Sequence, residues 1–246
     1  DNVIIPDVTT APIIGATTGA LTNDLTITET DGINITAGGS LIVSGTSSGT
    51  VTFNRTIPTD NWYLISSPVA GETYDDAYVT ANSIASGTQN PNSRGIAPFV
   101  TTDDSWDYMQ AGETTSFSTG TGYSVKRTST GDVSFTGTIN VDDAGIDVVL
   151  SSAGNRFNLL GNPYTSHIAS ATFLTGEAAI SETKNLWVWN QGTGTSGAYE
   201  VKTVPDAMVI APAQGFFVQA NEAGGTFNFT ESNQASNGGT FQRTDT

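Results

Sequence analysis

From about residue 60 the chain repeats itself, so any fold it adopts has to accommodate two similar halves. Asn61-Trp62-Tyr63-Leu64-Ile65-Ser66-Ser67-Pro68-Val69 aligns with Arg156-Phe157-Asn158-Leu159-Leu160-Gly161-Asn162-Pro163-Tyr164. Gly122-Tyr123-Ser124-Val125 aligns with Gly215-Phe216-Phe217-Val218, and Val133-Ser134-Phe135-Thr136 with Phe227-Asn228-Phe229-Thr230. The three anchors keep their order at offsets of 93 to 95 residues, which chance does not readily supply. Between them each copy carries an aromatic patch: Phe99, Trp106 and Tyr108 in the first, Trp187, Trp189 and Tyr199 in the second.

The anchors read as strands, because their apolar residues alternate with a period of two. Pro68 and Pro163 cannot donate to a ladder, so each opening strand should stop or lie on an edge there. Gly131-Asp132 and Gly224-Gly225 read as hairpin turns. Ahead of the duplication come four apolar triplets: Leu25-Thr26-Ile27, Ile33-Asn34-Ile35, Leu41-Ile42-Val43 and Val51-Thr52-Phe53. They return every eight to ten residues between Gly-rich turns, which predicts a small meander or stacked solenoid rungs leaning on the duplicated region. Helical pattern is confined to residues 169–174 and 177–182. The expectation is an all-β protein, an internally duplicated antiparallel β-sandwich of jelly-roll type. Its parts are an extended lead-in or linker (1–20), a short β segment (21–55), a first repeat (56–150) and a second repeat (151–246).

Charge narrows the partners. The 24 acidic and 8 basic residues give a net charge of −16, which nucleic-acid phosphates and anionic membrane surfaces would repel. With no cysteine, disulfide frameworks and thiolate metal sites are excluded. No apolar run approaches the roughly 20 residues of a spanning helix, so membrane insertion is not expected. Asp1 to Pro6 show no basic stretch ahead of an apolar core, and no signal peptide is read there.

Together, Trp62-Tyr63-Leu64-Ile65-Ser66-Ser67-Pro68, Phe157-Asn158-Leu159-Leu160-Gly161-Asn162-Pro163-Tyr164 and Pro212-Ala213-Gln214-Gly215-Phe216-Phe217-Val218 resemble modules of secreted Bacteroidetes proteins. In such modules a Gly-Thr-Val-Thr-x-x-Arg stretch, here Gly49 to Arg55, leads into the first strand, and the resemblance extends to Gly239-Thr240-Phe241-Gln242-Arg243. It implies export by the type IX secretion machinery and an extracellular or outer-cell-surface location. Members ordinarily end in a C-terminal sorting domain, and none is read in this sequence. The resemblance brings no shared catalytic set.

The candidate ligand-binding residues are Trp106, Tyr108, Trp187 and Trp189, whose rings lie in or beside polar stretches and could stack on sugars. Trp62 reads instead as core, because it matches Phe157 and a buried aromatic removes about 150–250 Å² from water. Asp103, Asp104 and Asp107 form the candidate metal loop, with Asp142, Asp143 and Asp147 a second. Hard oxygens close in sequence suit Ca²⁺, although neither loop has EF-hand spacing. Arg156, Tyr164 and His167 are similar to the Arg/Tyr/His sets of polysaccharide lyases, yet they follow a duplicated strand whose first copy has Val69 in place of Tyr164, which favours a structural His167. The glutamates are scattered rather than paired across one strand face, and no nucleophile elbow, P-loop or dinucleotide fingerprint is present. Three glycosylation sequons, at Asn34, Asn54 and Asn228, read as ordinary strand residues. The functional expectation is a non-catalytic secreted or surface-displayed module for adhesion or for tethering a partner domain, meeting an extracellular glycan or a cell-surface protein. The alternative is a carbohydrate-binding module for plant or algal polysaccharide, and the weaker one a polysaccharide lyase or hydrolase.

Overall fold

The N-terminal triplets stack in parallel. In the computed structural model, which describes residues 1–142, 144–192, 197–206 and 208–236, this segment runs through β1 (Val3–Ile5), β2 (Ile13–Ile14), β3 (Gly19–Thr22), β4 (Leu25–Ile27), β5 (Ile33–Ile35), β6 (Ser40–Val43), β7 (Ser47–Ser48) and β8 (Val51–Ile57). Val3 pairs with Leu25, Ile13 with Asn34 and Gly19 with Ser40, steps of 22, 21 and 21 residues, all parallel. A meander would pair neighbours antiparallel, so the segment is a three-faced solenoid. Leu25, Ile27, Ile33, Ile35, Leu41 and Val43 fill its interior. Outward positions carry hydrogen bonds between rungs, as where Asn54 Nδ2 donates to Asn34 Oδ1 at 2.6 Å. Residues 1–20, expected as a lead-in, supply most of the first rung. Their strands are two to four residues long, too short for period-2 counting to find.

Strand β8 has two partners. On one side it continues the parallel solenoid face through β5, and on the other it pairs antiparallel with β16 (Gly131–Ile139). The rest of the first copy is β9 (Trp62–Ser66), β10 (Val69–Ala70), β11 (Thr73–Tyr74), α1 (Asp76–Ala81), β12 (Ile96–Val100), β13 (Ser105–Trp106), β14 (Thr115–Ser116) and β15 (Gly122–Lys126). The second copy holds β17 (Ile146–Leu150), β18 (Phe157–Gly161), β19 (His167–Ala169), α2 (Ser170–Gly176), β20 (Leu186–Asn190), β21 (Ala198–Lys202), β22 (Val209–Ile210), β23 (Gly215–Gln219), β24 (Gly225–Phe229) and β25 (Gln234–Ala235). Among the described residues strand accounts for 47% and helix for 8%, an all-β fold.

The duplication extends to topology. Each copy has a four-stranded antiparallel sheet, in the order β13-β12-β15-β9 and β21-β20-β23-β18, and an antiparallel ribbon, β8 with β16 and β17 with β24. The structural repeats therefore start at β8 and β17, a few residues before 56 and 151. In each copy one sheet face meets the ribbon across a core: Tyr63, Ile65, Tyr123 and Val125 against Phe53 and Phe135, and Leu160, Phe216 and Val218 against Phe227 and Phe229. The glycines expected in hairpins do something else. Gly131 (φ +142°) and Gly225 (φ +145°) turn the chain from the four-stranded sheet into the ribbon, and the strands on either side of each turn do not pair with one another. Of the two expected helical patches, residues 169–174 fall within or beside α2, whereas 177–182 are not helical. Helix α1 was not legible; its signal is Asp75, whose carboxylate caps Tyr78 N at 2.8 Å.

The two copies meet about a pseudo-dyad. Thr121 bridges Leu160, and the equivalent Gln214 bridges Ile65. Gly122 lies against Leu159 and Leu160, and its equivalent Gly215 against Leu64 and Ile65, so close that a Cβ at either would fall 2.5 Å or 2.9 Å from a backbone oxygen. Only glycine allows strands to approach like this. The contact is isologous, as between the halves of a symmetric dimer. Its apolar centre is Leu64, Leu159 and Phe217.

Candidate functional site

The outer faces of the two four-stranded sheets join at the pseudo-dyad into one aromatic surface. Strand alternation explains it: Trp62 and Leu64 point away from the core that Tyr63 and Ile65 enter, and Phe157 and Leu159 do the same in the second copy. Cross-strand pairs then repeat. Phe99 faces Trp106 with centroids 5.3 Å apart and planes at 70°; Trp189 faces Tyr199 at 4.9 Å and 69°. Phe217 sits between these pairs, 4.9 Å from Phe99 and 5.6 Å from Tyr199.

The surface is grooved. A first cleft of about 270 Å³ is lined by Trp62, Trp106, Tyr108, Ser124, Trp189 and Tyr199. A second, of about 520 Å³, is lined by Phe99, Phe157, Trp187, Tyr199, Val201 and Phe217, with Asp104 and Asn155 at its polar end. Beyond Trp62 and Tyr108 the first cleft runs into a polar hollow of about 390 Å³ bounded by Gln89, Asn90, Arg94 and Lys126. The Lys126 ammonium stands 5.9 Å from the Trp62 ring.

All four sequence-predicted binding residues line the clefts: Trp106, Tyr108 and Trp189 the first, Trp187 the second. Trp62, read as core, is half-buried and walls the first cleft against Tyr108, 5.7 Å away. Tyr199 is 45% exposed and lines both clefts. The rings meet tilted or edge to face, between 58° and 89°, so they form the walls of a groove and no flat platform. Burial lifts the Tyr199 phenol to about 12 and the Tyr108 phenol above its ordinary range.

Asp104, Asp142 and Asp147 of the acidic loops accept hydrogen bonds from within the chain. Asp103, Asp104 and Asp107 are exposed, and Asp104 Oδ2 accepts from Asn155 Nδ2 at 2.6 Å, linking the two copies at the end of the second cleft. Asp142 Oδ1 accepts from Ala144 N, and Asp147 Oδ1 from Asn228 Nδ2. Asp143 lies outside the described residues, as does the stretch from Gly239 to Arg243. Among the described residues no three acidic or histidine side chains converge as a metal cluster, and no helix is long and apolar enough to cross a membrane.

Neither cleft includes the lyase-like set. His167 is 5% exposed in the sheet β22-β19-β25. Tyr164 is buried, its hydroxyl donates to Phe229 O at 2.9 Å, and burial raises its pKa well above that of a free phenol. The neighbouring Asn162 donates to Ser166 O and Ala211 O and accepts from Tyr164 N, which accounts for the Asn-Pro-Tyr element as a buried corner. Sequence reasoning missed Phe157 and Phe217 as site residues and left Phe99 and Tyr199 as members of the aromatic patches. The strand registers relate them, matching Phe99 with Trp189 and Trp106 with Tyr199. No family model matches the chain, and neither does any curated protein or solved structure.

Proposed function

We propose that this chain is a non-catalytic, secreted or surface-displayed module that adheres or tethers by holding a neutral glycan in the aromatic groove. One observation carries the reading: Trp62, Trp106, Tyr108, Trp187, Trp189 and Tyr199, drawn from both copies, leave their packing partly open in two adjoining clefts. Sugar rings present apolar C–H faces and polar edges, and the groove offers aromatic walls with hydroxyl, amide and amine groups at its ends. The net charge of −16 disfavours anionic polysaccharide. Export through the type IX machinery and an outer-surface location belong to the same reading, and rest on the sequence resemblance. The enzyme alternative gains no support from His167 and Tyr164, both buried away from the groove.

The test is affinity electrophoresis of the purified chain through gels containing hydroxyethylcellulose, xylan, laminarin, galactomannan or alginate, with Ca²⁺ and with chelator. Retardation by a neutral polysaccharide, lost in Trp106→Ala/Trp189→Ala, is the expected result. Retardation only with Ca²⁺ would bring Asp103, Asp104 and Asp107 into the site. Retardation by none of the gels would overturn the glycan reading in favour of a protein-contacting adhesin, for which Tyr199 and Val201 are the exposed apolar residues of the second cleft.

A further inference from the structure

The two clefts are mates under the pseudo-dyad. Trp62 corresponds to Phe157 and Ser124 to Phe217 by the offsets of their anchors, and the matching strand registers set Trp189 against Phe99, Trp106 against Tyr199 and, two residues on, Tyr108 against Val201. Each cleft is thus built mainly from one copy and closed by the other, the first by Trp189 and Tyr199 and the second by Phe99. The clefts share Tyr199 as a common wall, and the first shares Trp62 and Tyr108 with the polar hollow. Hollow, first cleft and second cleft are therefore neighbours along the surface, with Trp62 and Tyr108 standing between the first two and Tyr199 between the last two.

From this we propose that the second cleft is a second sugar subsite, and that one neutral glycan chain lies across both clefts. The inference rests on the glycan reading above. A sugar chain has direction, with a reducing and a non-reducing end, whereas a dyad reverses direction. One continuous chain cannot make the same contacts in two dyad-related subsites, so the subsites have to differ. They differ where a chain would touch them. The hydroxyls of Tyr108 and Ser124 in the first cleft give way to Val201 and Phe217 in the second. The second also gains Trp187, 5.0 Å from Phe157, where the first copy has only Ala97. The first cleft is equipped for hydroxyl recognition as well as stacking, and the second for stacking, with Asp104 and Asn155 at its end. Two independent sites for short ligands would not require such divergence.

The experiment is isothermal titration of the full chain with di- and hexasaccharides of cellulose, xylan, laminarin and mannan. Trp62→Ala tests the first cleft and Trp187→Ala the second. Val201→Glu places a charge in the second cleft at a residue already 50% exposed, so it reads that cleft without endangering the fold. The expected result is one hexasaccharide per protein, bound at least tenfold more tightly than the disaccharide. Each variant should weaken the hexasaccharide roughly tenfold, the worth of one aromatic contact. Hexasaccharide binding lost in Trp62→Ala but unchanged in Trp187→Ala and Val201→Glu would overturn the spanning chain while leaving the module a glycan binder. Two hexasaccharides per protein would do the same. Absence of binding by every probe, together with no retardation in the polysaccharide gels, would instead remove the reading beneath it.

Discussion

Exchanging two residues tests the pseudo-dyad directly. Ser66 and Gly161 are equivalent positions in the two copies, and they face one another across the contact. A Cβ on Gly161 would lie 2.1 Å from Ser66 Cβ and 2.9 Å from Thr121 O, distances that no rotamer change relieves. Gly161 is not among the residues with positive φ, so alanine suits its backbone and the cost of Gly161→Ala is one of contact. Overpacking of this kind costs about 1–3 kcal/mol. Ser66→Gly removes the hydroxyl that donates to Asn162 O at 3.0 Å, worth about 0.5–1.5 kcal/mol, and adds a comparable cost for glycine in a strand. In the double variant the Ser66 side chain is gone and only the 2.9 Å approach to Thr121 O remains. The double variant should therefore lose less than the two single variants summed, by a coupling of about 1 kcal/mol or more. The assay is urea denaturation followed by tryptophan fluorescence, apt because all four tryptophans line the clefts beside this contact. Melting should show the same pattern, at about 2–4 °C per kcal/mol for a chain of this size. Single-variant losses that add within about 0.5 kcal/mol, the margin for independent sites, would refute the close approach.

Other perturbations read other joints. Arg55 is buried, its guanidinium donates to Pro212 O in the second copy, and burial draws its pKa down to about 9 against the pull of Asp132. Arg55→Met should cost about 1.5–3 kcal/mol in urea midpoint analysis, the range for a hydrogen bond to a charged group, and a loss below about 0.5 would show that this tie is idle. Asn162→Ala should cost about 1–3 kcal/mol for each buried group it leaves unpaired, and more than Ser67→Ala at the equivalent position, by the same measurement. Glu200 has its pKa lowered from 4.5 by the Asn190 side chain first and Lys202 next. Because the folded chain holds that proton less tightly than the unfolded one, this stabilisation is complete above about pH 4.5 and is lost as pH falls through the lower folded value. Melting temperature followed from pH 7 to pH 3 should therefore fall less steeply below 4.5 in Glu200→Gln than in the parent chain; equal slopes would contradict the assignment.

Range along the chain decides how much of this was legible in the residues. The duplicated anchors were legible because strands covered on both faces write a continuous apolar run, as Leu64 and Ile65 do beside Leu159 and Leu160. Trp106, Tyr108, Trp187 and Trp189 were legible as candidates because large rings in polar surroundings are conspicuous. What brings them together was not legible. The dyad contact depends on glycines whose neighbours are far away in sequence, Leu159 and Leu160 for Gly122 and Leu64 and Ile65 for Gly215, and a glycine in sequence does not say whether it serves a turn or a close approach. Trp62 was read as core by equivalence with Phe157, and the inference failed in an instructive way: Phe157 also faces the groove, so the equivalence held while the environment assigned to both was wrong. The turn glycines 131 and 225 failed for a related reason. The chain departs from its sheet there, and local turn chemistry is the same whether the next strand returns to the same sheet or enters another layer.

The solenoid bears on the groove through one strand. Phe53 is fully buried at the junction, paired with Ile35 on the parallel side and with Phe135 on the antiparallel side. Its core is continuous with that of the first copy, including Tyr63, Ile65, Tyr123 and Val125, whose strands carry the walls of the first cleft on their other face. A parallel stack of two full rungs and part of a third buries too little to stand alone, because its end rungs lack a neighbour. Here the antiparallel ribbon supplies the missing neighbour. Phe53→Ala should accordingly cost about 3–5 kcal/mol, as large-to-small changes in a closed core do. Because the core is shared, that loss should appear in both parts together. Tryptophan fluorescence reports the groove, and cleavage by a protease within residues 1–50 reports the solenoid. Their urea midpoints should coincide in the parent chain and move down together in Phe53→Ala. A variant in which the solenoid becomes cleavable at low urea while the fluorescence transition stays in place would show two separately stable units, and the dependence of the groove on the rungs beneath it would have to be given up.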